Sequence, residues 1–122
     1  MAVPILKHGD YLIASIQSAL SDTGVLELRD ELTERVGSTR ARGVIVDVAG
    51  MDVIDSFVAR SLRTIALTTK LRGAETVIVG IRPDVAVAMV QFDMNLEPLR
   101  TALDLEEGLS LLDDWTGRGN GH

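Results

Sequence analysis

The residues best suited to chemistry in this sequence lie between a buried-looking strand and the start of a helix. Asp47, Asp52, Asp55 and Ser56 fall in one short stretch, where the apolar run at 43–49 ends and a helical pattern begins. In open α/β sheets, sites form at the carboxyl ends of strands, so we expect these side chains to cluster there. Serine and aspartate at a helix start also cap the helix and interact with its dipole, and the pattern alone favours this structural interpretation.

Three chemical roles would use the residue types of this stretch, and the sequence disfavours the first two. A serine nucleophile needs an adjacent base, but the only histidines are His8 and His122, and the stretch lacks the G-x-S-x-G elbow of hydrolases. A phospho-accepting aspartate in a receiver-like domain needs a lysine late in the chain, and no lysine follows Lys70. The third role is that Ser56 is the substrate of a protein kinase. A phosphate at this exposed helix start adds about −1.5 to −2 charges.

The second predicted helix is the most basic stretch of the chain. Arg60 and Arg63 are three residues apart and therefore share one helix face, which is either a solvated face or a surface for an acidic partner. The apolar residues that flank Ser56 are Val53, Ile54, Phe57 and Val58. They either pack the helix against the core or, if exposed, mark a binding surface, and the sequence leaves both options open.

Composition excludes several classes of function. The 122 residues are 46% hydrophobic and 25% charged, which is typical of one soluble domain. The chain has no cysteine, hence no thiolate metal site, and it carries no glycine-rich nucleotide loop, so we expect no metal and no cofactor. A net charge of −6 disfavours nucleic-acid binding. We therefore expect a protein that is not an enzyme.

The sequence gives no sign of a membrane segment or a targeting signal. No apolar run approaches the roughly 20 residues of a membrane helix. The first ten residues, MAVPILKHGD, are too short and too weakly basic for a signal peptide. We therefore expect a cytoplasmic protein that does not contact membranes.

Strands and helices alternate along the chain in the order β-β-α-β-α-β-α-β-α. The predicted strands cover 3–7, 11–16, 43–49, 76–79 and, more weakly, 96–101. The predicted helices cover 25–36, 56–71, 83–92 and a final segment that Asp104 caps and that buries Leu105, Leu109, Leu112 and Trp115. Strands separated by helices need crossover connections, so we predict an α/β fold with a mostly parallel sheet, an N-terminal hairpin and four helices.

Several segments together resemble a known family. The stretch from Val44 to Leu62, with Ile54-Asp55-Ser56 after a V-I-V-D strand, resembles the STAS domain of anti-sigma factor antagonists. The chain resembles more closely the small stressosome scaffold proteins of the RsbS type. The segments that carry this resemblance are VPILK at 3–7, SIQ at 15–17, IDSF at 54–57, the KL-GA pattern at 70–74, GI-P-VAV at 80–87 and TALDLE-GL at 101–109. We therefore expect one STAS domain over 3–115 and a flexible, glycine-rich tail over 116–122.

The resemblance implies a phospho-regulated scaffold and antagonist of a stressosome, in a partner-switching pathway that controls the general stress response. Its implied partners are a STAS-containing co-antagonist of the RsbR type, a serine kinase switch protein of the RsbT type and a phosphatase. ATP belongs to the kinase. The resemblance further implies a homodimer and a large hetero-oligomer. Phosphorylation of Ser56 is expected to release the kinase, and the expected partner-binding residues are Asp52, Ile54, Asp55, Phe57, Arg60 and Arg63.

The residues after the serine distinguish two types of antagonist. Sporulation-type anti-anti-sigma factors follow the serine with a small residue and then glycine, whereas Phe57, Val58 and Ala59 follow here. This departure favours the stressosome type over a simple anti-anti-sigma factor that binds an anti-sigma kinase in a soluble complex. An interaction module without phosphorylation also remains open. A phosphate on Ser56 is expected to weaken kinase binding through desolvation and through repulsion from Asp52 and Asp55.

Overall fold

Short runs rich in valine, isoleucine and leucine form the strands, and amphipathic segments between them form the helices. The computed structural model describes residues 3–97 and 99–117. The strands are β1 (Ile5–His8), β2 (Tyr11–Ser15), β3 (Gly43–Asp47), β4 (Glu75–Val79) and β5 (Arg100–Ala102). The helices are α1 (Asp22–Thr39), α2 (Ser56–Leu71), α3 (Pro83–Gln91) and α4 (Leu105–Thr116). This order confirms the predicted alternation of strands and helices.

The five strands form one sheet in the order β1-β2-β3-β4-β5. Gly9, with a φ of 60°, turns the chain between β1 and β2, which pair antiparallel. The other neighbouring strands pair parallel, so that Asp47 at the end of β3 lies between Ser15 of β2 and Val79 of β4. The α/β fold with a mostly parallel sheet, an N-terminal hairpin and four helices is therefore confirmed.

Helices cover both faces of the sheet. Apolar side chains of α1, α2 and α3 pack with alternate strand residues into the larger buried cluster, whereas Leu112 of α4 packs on the opposite face. Gly108 lets α4 approach closely, because a Cβ there would lie 2.7 Å from Cγ1 of Val79. The sheet is thus fixed between two layers, and the loops at its carboxyl edge remain at the surface.

The structure confirms most predicted helix faces and corrects some boundaries. In α1 the predicted residues Val25, Leu28, Leu32 and Val36 are buried, although the helix runs further in both directions. In α4 Asp104 caps the first turn as predicted, by accepting the backbone N–H of Glu107 at 2.9 Å. Leu112 is buried, but the prediction that Leu105 is buried was wrong, because this first-turn residue is 38% exposed.

Two boundaries in the last third of the chain also differ from the predicted elements. β5 begins only at Arg100, because the side chain of Asn95 accepts the backbone N–H of Glu97 at 2.8 Å and forms a turn where a strand was predicted. α4 includes Thr116, the first residue of the predicted tail, and Gly117 ends the helix. The remainder of that tail, 118–122, lies outside the described residues.

Candidate functional site

The loop between β3 and α2 is held in place at both of its ends. At its start, Oδ1 of Asp47 accepts the backbone N–H of Ala49 at 2.9 Å, and the N–H of Val48 donates to the carbonyl of Val79 at 3.0 Å. Further along, Met51 and Ile54 insert into the main core with exposures of 2% and 3%. The start of α2 is therefore presented at a defined position beside the carboxyl ends of the strands.

Asp55, and not Ser56, caps α2. The side chain of Asp55 accepts the backbone N–H of Val58 at 2.8 Å, and its backbone is extended, with a φ of −83° and a ψ of 177°. Interpreting Ser56 as the cap was therefore wrong. Ser56 is the first residue of the helix, it is exposed, and its hydroxyl makes no hydrogen bond to any residue in the described part of the chain. This hydroxyl is thus free for other chemistry.

Ser56 opens onto a surface groove of about 210 Å³. One wall is the exposed side of α2, with Ser56, Arg60 and Arg63, and the other wall is the segment 92–95 that follows α3. The sequence predicted that Arg60 and Arg63 share a face, and the structure places both beside Ser56. The groove therefore combines an accessible hydroxyl with two guanidinium groups.

The two arginines of the groove differ in their contacts. Arg63 donates from Nη1 to the carbonyl of Asn95 and is half-buried. Arg60 is exposed, and it also borders a second groove of about 270 Å³ on the other side of α2. Phe57 and Leu26 line this second groove. The first two turns of α2 thus stand as a ridge between two grooves.

Asp52 lies apart from the groove and is paired. Its carboxylate accepts a hydrogen bond from Nη1 of Arg82, which precedes α3, and Arg82 also lies 3.6 Å from Asp84. Both partners of the Asp52–Arg82 pair are exposed to solvent. This ion pair connects the loop before α2 to the start of α3, and Asp52 shares its arginine with Asp84.

The apolar residues around Ser56 divide into core and surface. Ile54 and Val58 are buried at 3% and 7% exposure, so they attach the helix to the core. Ile54 was expected to contact a partner, and the structure places its side chain inside the core of the isolated chain. Phe57 is partly buried, whereas Val53 is 69% exposed. Val53 is therefore the apolar side chain that this loop exposes to solvent.

Sequence reasoning missed the contribution of α3 and the segment after it. Val87, Val90 and Phe92 are 56%, 80% and 73% exposed, and Phe92 lines the groove of Ser56. One sequence signal points to them, since Val85 and Met89 already supply the buried side of α3. A short helix with further valines outside its buried stripe has an apolar outer face, which is typical of a contact surface.

Residues 3–97 and 99–117 contain neither a metal-binding cluster nor a membrane-spanning helix. No cluster of three or more histidine, aspartate or glutamate side chains in these ranges is arranged to hold a metal ion. No helix in the same ranges combines the length and the apolar composition that crossing a bilayer requires.

The sequence matches a known family over most of its length. The family model described as STAS domain covers residues 2–108. Among curated proteins, the chain is 28% identical over 91 residues to the RsbT co-antagonist protein RsbRA and 27% identical over 81 residues to RsbRD, both from Bacillus subtilis. These matches cover 75% and 66% of this chain but only 33% and 29% of the two relatives. The chain thus matches about a third of the length of these relatives.

Solved structures match nearly the whole chain. A serine-to-glutamate variant of RsbS from Moorella thermoacetica superposes with a TM-score of 0.79 at 32% identity, over 94% of this chain and 97% of that one. A second match is a chain of the structure described as the molecular architecture of the stressosome, a signal integration and transduction hub. It superposes with a TM-score of 0.73 at 32% identity, over 93% of this chain and 98% of that one. The anti-sigma factor antagonist SpoIIAA is 12% identical with a TM-score of 0.66, over 99% and 100%, and shows the fold alone.

Proposed function

The chain belongs to the STAS domain family, and on that premise we propose that it is a phospho-regulated scaffold and antagonist in a stressosome. It sequesters a serine kinase switch protein at the surface around the start of α2 and releases this kinase when Ser56 is phosphorylated. The pathway is a partner switch that controls the general stress response. The similarity to RsbS and to a stressosome chain, each over more than nine-tenths of this chain, supports the scaffold role.

The observation that supports regulation through Ser56 is that Asp55, and not Ser56, caps α2. Asp55 caps α2 at 2.8 Å, so the helix does not need the hydroxyl of Ser56. The hydroxyl is exposed at a fixed helix start, beside two arginines and an open groove. A kinase can therefore reach and modify this serine without unfolding the helix.

The modification is a phosphoryl transfer from ATP that the kinase holds. The Oγ of Ser56 forms a bond to the γ-phosphorus, and the bond from that phosphorus to the oxygen bridging the β- and γ-phosphates breaks. ADP leaves with the electron pair, and the hydroxyl proton passes to a base of the kinase. This chain supplies the accepting oxygen and no catalytic group, and we propose that it has no enzymatic activity and no cofactor of its own.

The phosphate weakens kinase binding mainly through desolvation. A doubly charged, strongly hydrated group must lose water when a partner covers the start of α2. Repulsion from the two nearby aspartates contributes less than the sequence suggested, because Asp52 is paired with Arg82 and Asp55 is engaged in the cap. A loss of about 3 kcal/mol reduces affinity more than a hundredfold.

The proposed partners follow from the proposed role. They are a STAS-containing co-antagonist of the RsbR type, a switch kinase of the RsbT type and a phosphatase that resets Ser56. The chain forms a homodimer and, with its co-antagonist, a large hetero-oligomer in the cytoplasm. Asp52, Asp55, Phe57, Arg60 and Arg63 belong to the proposed kinase-binding surface, together with Val53 and Phe92, which are exposed beside them. The proposed domain begins at residue 3 and extends through α4, which ends at Thr116.

Intact-mass spectrometry tests the phosphorylation directly. The chain is incubated with ATP and the switch kinase of the same organism, and the products are mapped by peptide analysis. We expect one added phosphate on Ser56, none in Ser56→Ala, and an unchanged amount in Thr64→Ala, which removes another exposed hydroxyl of α2. An unmodified chain, with the kinase active on another substrate, contradicts the regulatory role.

A binding and sizing experiment separates the scaffold from a soluble antagonist. A scaffold mixed with its co-antagonist forms particles in the megadalton range that retain the kinase, and addition of ATP releases the kinase from the parent chain but not from Ser56→Ala. A small soluble complex with one kinase, and no large particle, instead identifies a simple anti-anti-sigma factor.

A further inference from the structure

Ser56, Arg60 and Arg63 form one stripe along α2. Their spacings of four and seven residues bring them to the same side of a helix with 3.6 residues per turn. All three line the same groove, opposite the segment 92–95. The residue that accepts the phosphate is therefore aligned with the two cations nearest to it along the helix.

We propose that Arg60 and Arg63 form an intramolecular binding site for the phosphate on Ser56, and that the phosphate draws Arg63 away from the carbonyl of Asn95. This inference rests on the proposed phosphorylation of Ser56 and adds a second effect of that modification. The ligand is the phosphoserine dianion of the same chain.

Helix geometry brings both guanidinium groups within reach. Residues four apart lie about 5–6 Å from each other between Cβ atoms, so Arg60 is adjacent to Ser56. Arg63 lies about 10 Å from Ser56 along the helix axis. Side chains of an α-helix tilt towards its N-terminus, so both arginines extend in the direction of Ser56. The long arginine side chain spans the remaining distance to the phosphate.

Neither arginine has a partner as strong as a phosphate before Ser56 is phosphorylated. Arg63 donates to a neutral carbonyl, that of Asn95, and the guanidinium of Arg60 has no hydrogen bond or ion pair to the side chains of residues 3–97 and 99–117. Hydrogen bonds between arginine and phosphate are charge-assisted, often bidentate and about twice as strong as neutral ones. Transfer of Arg63 from the carbonyl to the phosphate is therefore favourable.

Three aspartates lie near the proposed phosphate site, and they differ in how strongly they repel the phosphate. Asp52 is paired with Arg82, which it shares with Asp84, and Asp55 already accepts a backbone N–H. Asp93 lines the groove opposite α2 and has a φ of 54°. Repulsion between the phosphate and Asp93 acts in the same direction as the loss of Arg63, because both separate the segment 92–95 from α2.

Two consequences for a bound kinase follow. Arg60 and Arg63, which are available to acidic groups of the partner before phosphorylation, become occupied by the phosphate. The segment that carries the exposed Phe92 loses its hydrogen bond to α2, so this part of the contact surface changes its position. Phosphorylation thereby removes attractive contacts in addition to adding charge.

A chain with phosphoserine incorporated at position 56 during translation tests the inference without any kinase. The second pKa of the phosphate is measured by phosphorus NMR in the full chain. We expect about 5, against about 6 in an unfolded peptide of the same local sequence, because nearby cations favour the dianion. The double variant Arg60→Gln and Arg63→Gln raises this pKa back towards about 6, whereas Lys70→Gln, at the other end of α2, leaves it unchanged. Equal values in the parent and the double variant overturn the phosphate site.

Hydrogen exchange tests the withdrawal of Arg63 from Asn95. The backbone N–H of Met94 donates to the carbonyl of Met89 at 2.8 Å and that of Glu97 donates to Asn95, so both report on this segment. We expect several-fold faster exchange of these amides in the phosphorylated chain and in unphosphorylated Arg63→Gln. Unchanged exchange overturns the coupling. The phosphoserine is installed genetically, so the phosphate pKa and the amide exchange do not depend on a kinase. Failure of a kinase to modify Ser56 would contradict the proposed function but not these two measurements.

Discussion

Asp55 accepts the backbone N–H of Val58 at 2.8 Å, and this single contact assigns the capping of α2 to the residue before Ser56. Both residue types are good caps, and adjacent positions compete for the role. The competition is decided by the backbone, because Asp55 has the extended conformation of a cap while Ser56 is already helical. A structural role and a regulatory role are thereby placed on two neighbouring side chains.

This division predicts that replacing Asp55 destabilises the fold, whereas replacing Ser56 does not. Asp55→Ala removes the cap and is expected to lower the free energy of unfolding by about 1 kcal/mol. Ser56→Ala removes an exposed hydroxyl that makes no hydrogen bond within the described residues, and we expect a change within about 0.5 kcal/mol. Urea denaturation followed by circular dichroism measures both. Equal destabilisation by the two substitutions would show that Ser56 contributes to the cap.

Local sequence patterns were sufficient to predict the order of strands and helices and to place Ser56 at the start of α2. α2 was predicted over 56–71 and occupies Ser56–Leu71, because its apolar stripe and the following glycine are local signals. The cap could not be assigned, since aspartate and serine give the same signal one residue apart. The late start of β5 was also missed, because the turn at Asn95 depends on one side-chain hydrogen bond.

The groove itself was beyond prediction from one sequence. Ser56 and Arg60 are close in the chain, but Phe92 and Asn95 reach them only because α2 and α3 contribute to the same core cluster on one face of the sheet. Likewise, the partner of Asp52 is Arg82, thirty residues away, and no local pattern links the two. The sequence also could not show that Ile54 is buried and Val53 is exposed, because this depends on which side of the loop faces the core.

A buried pair of threonines predicts a non-additive effect on stability. The hydroxyl of Thr69 donates to the carbonyl of Ile65 at 2.8 Å, so the hydroxyl of Thr76, 2.8 Å away, must donate to Thr69. Thr69→Val leaves a buried hydroxyl without its partner and is expected to cost about 1–3 kcal/mol. Adding Thr76→Val restores part of this loss, because both groups are then apolar.

The matched control for the threonine pair is Thr64→Val on the same helix. Thr64 makes the same kind of hydrogen bond to the carbonyl four residues before it, at 3.1 Å, but is exposed. Urea denaturation of the single and double variants gives the coupling. Purely additive losses in the Thr69 and Thr76 variants would contradict a shared hydrogen bond.

The pair Asp52 and Arg82 is expected to matter for loop order more than for global stability. With 84% and 44% of the two side chains exposed, an ion pair contributes at most about 1 kcal/mol. A double-mutant cycle with Asp52→Asn and Arg82→Gln should therefore give a small coupling that fades at high salt. A coupling that persists in 1 M salt would show that the pair is shielded from solvent.

The exposed apolar residues on both sides of Ser56 make the proposed kinase-binding surface testable apart from the phosphate. Phe92→Ser is expected to weaken binding of the switch kinase to the unphosphorylated chain by about tenfold, because an aromatic contact contributes 1–2 kcal/mol at an interface. Val53→Ser should weaken it less, since it removes a smaller apolar group. Isothermal titration calorimetry measures both, and Leu71→Ser is the control, being 90% exposed at the far end of α2. If Leu71→Ser weakens binding as much as Phe92→Ser, the contact surface extends along α2 and is not centred on Ser56.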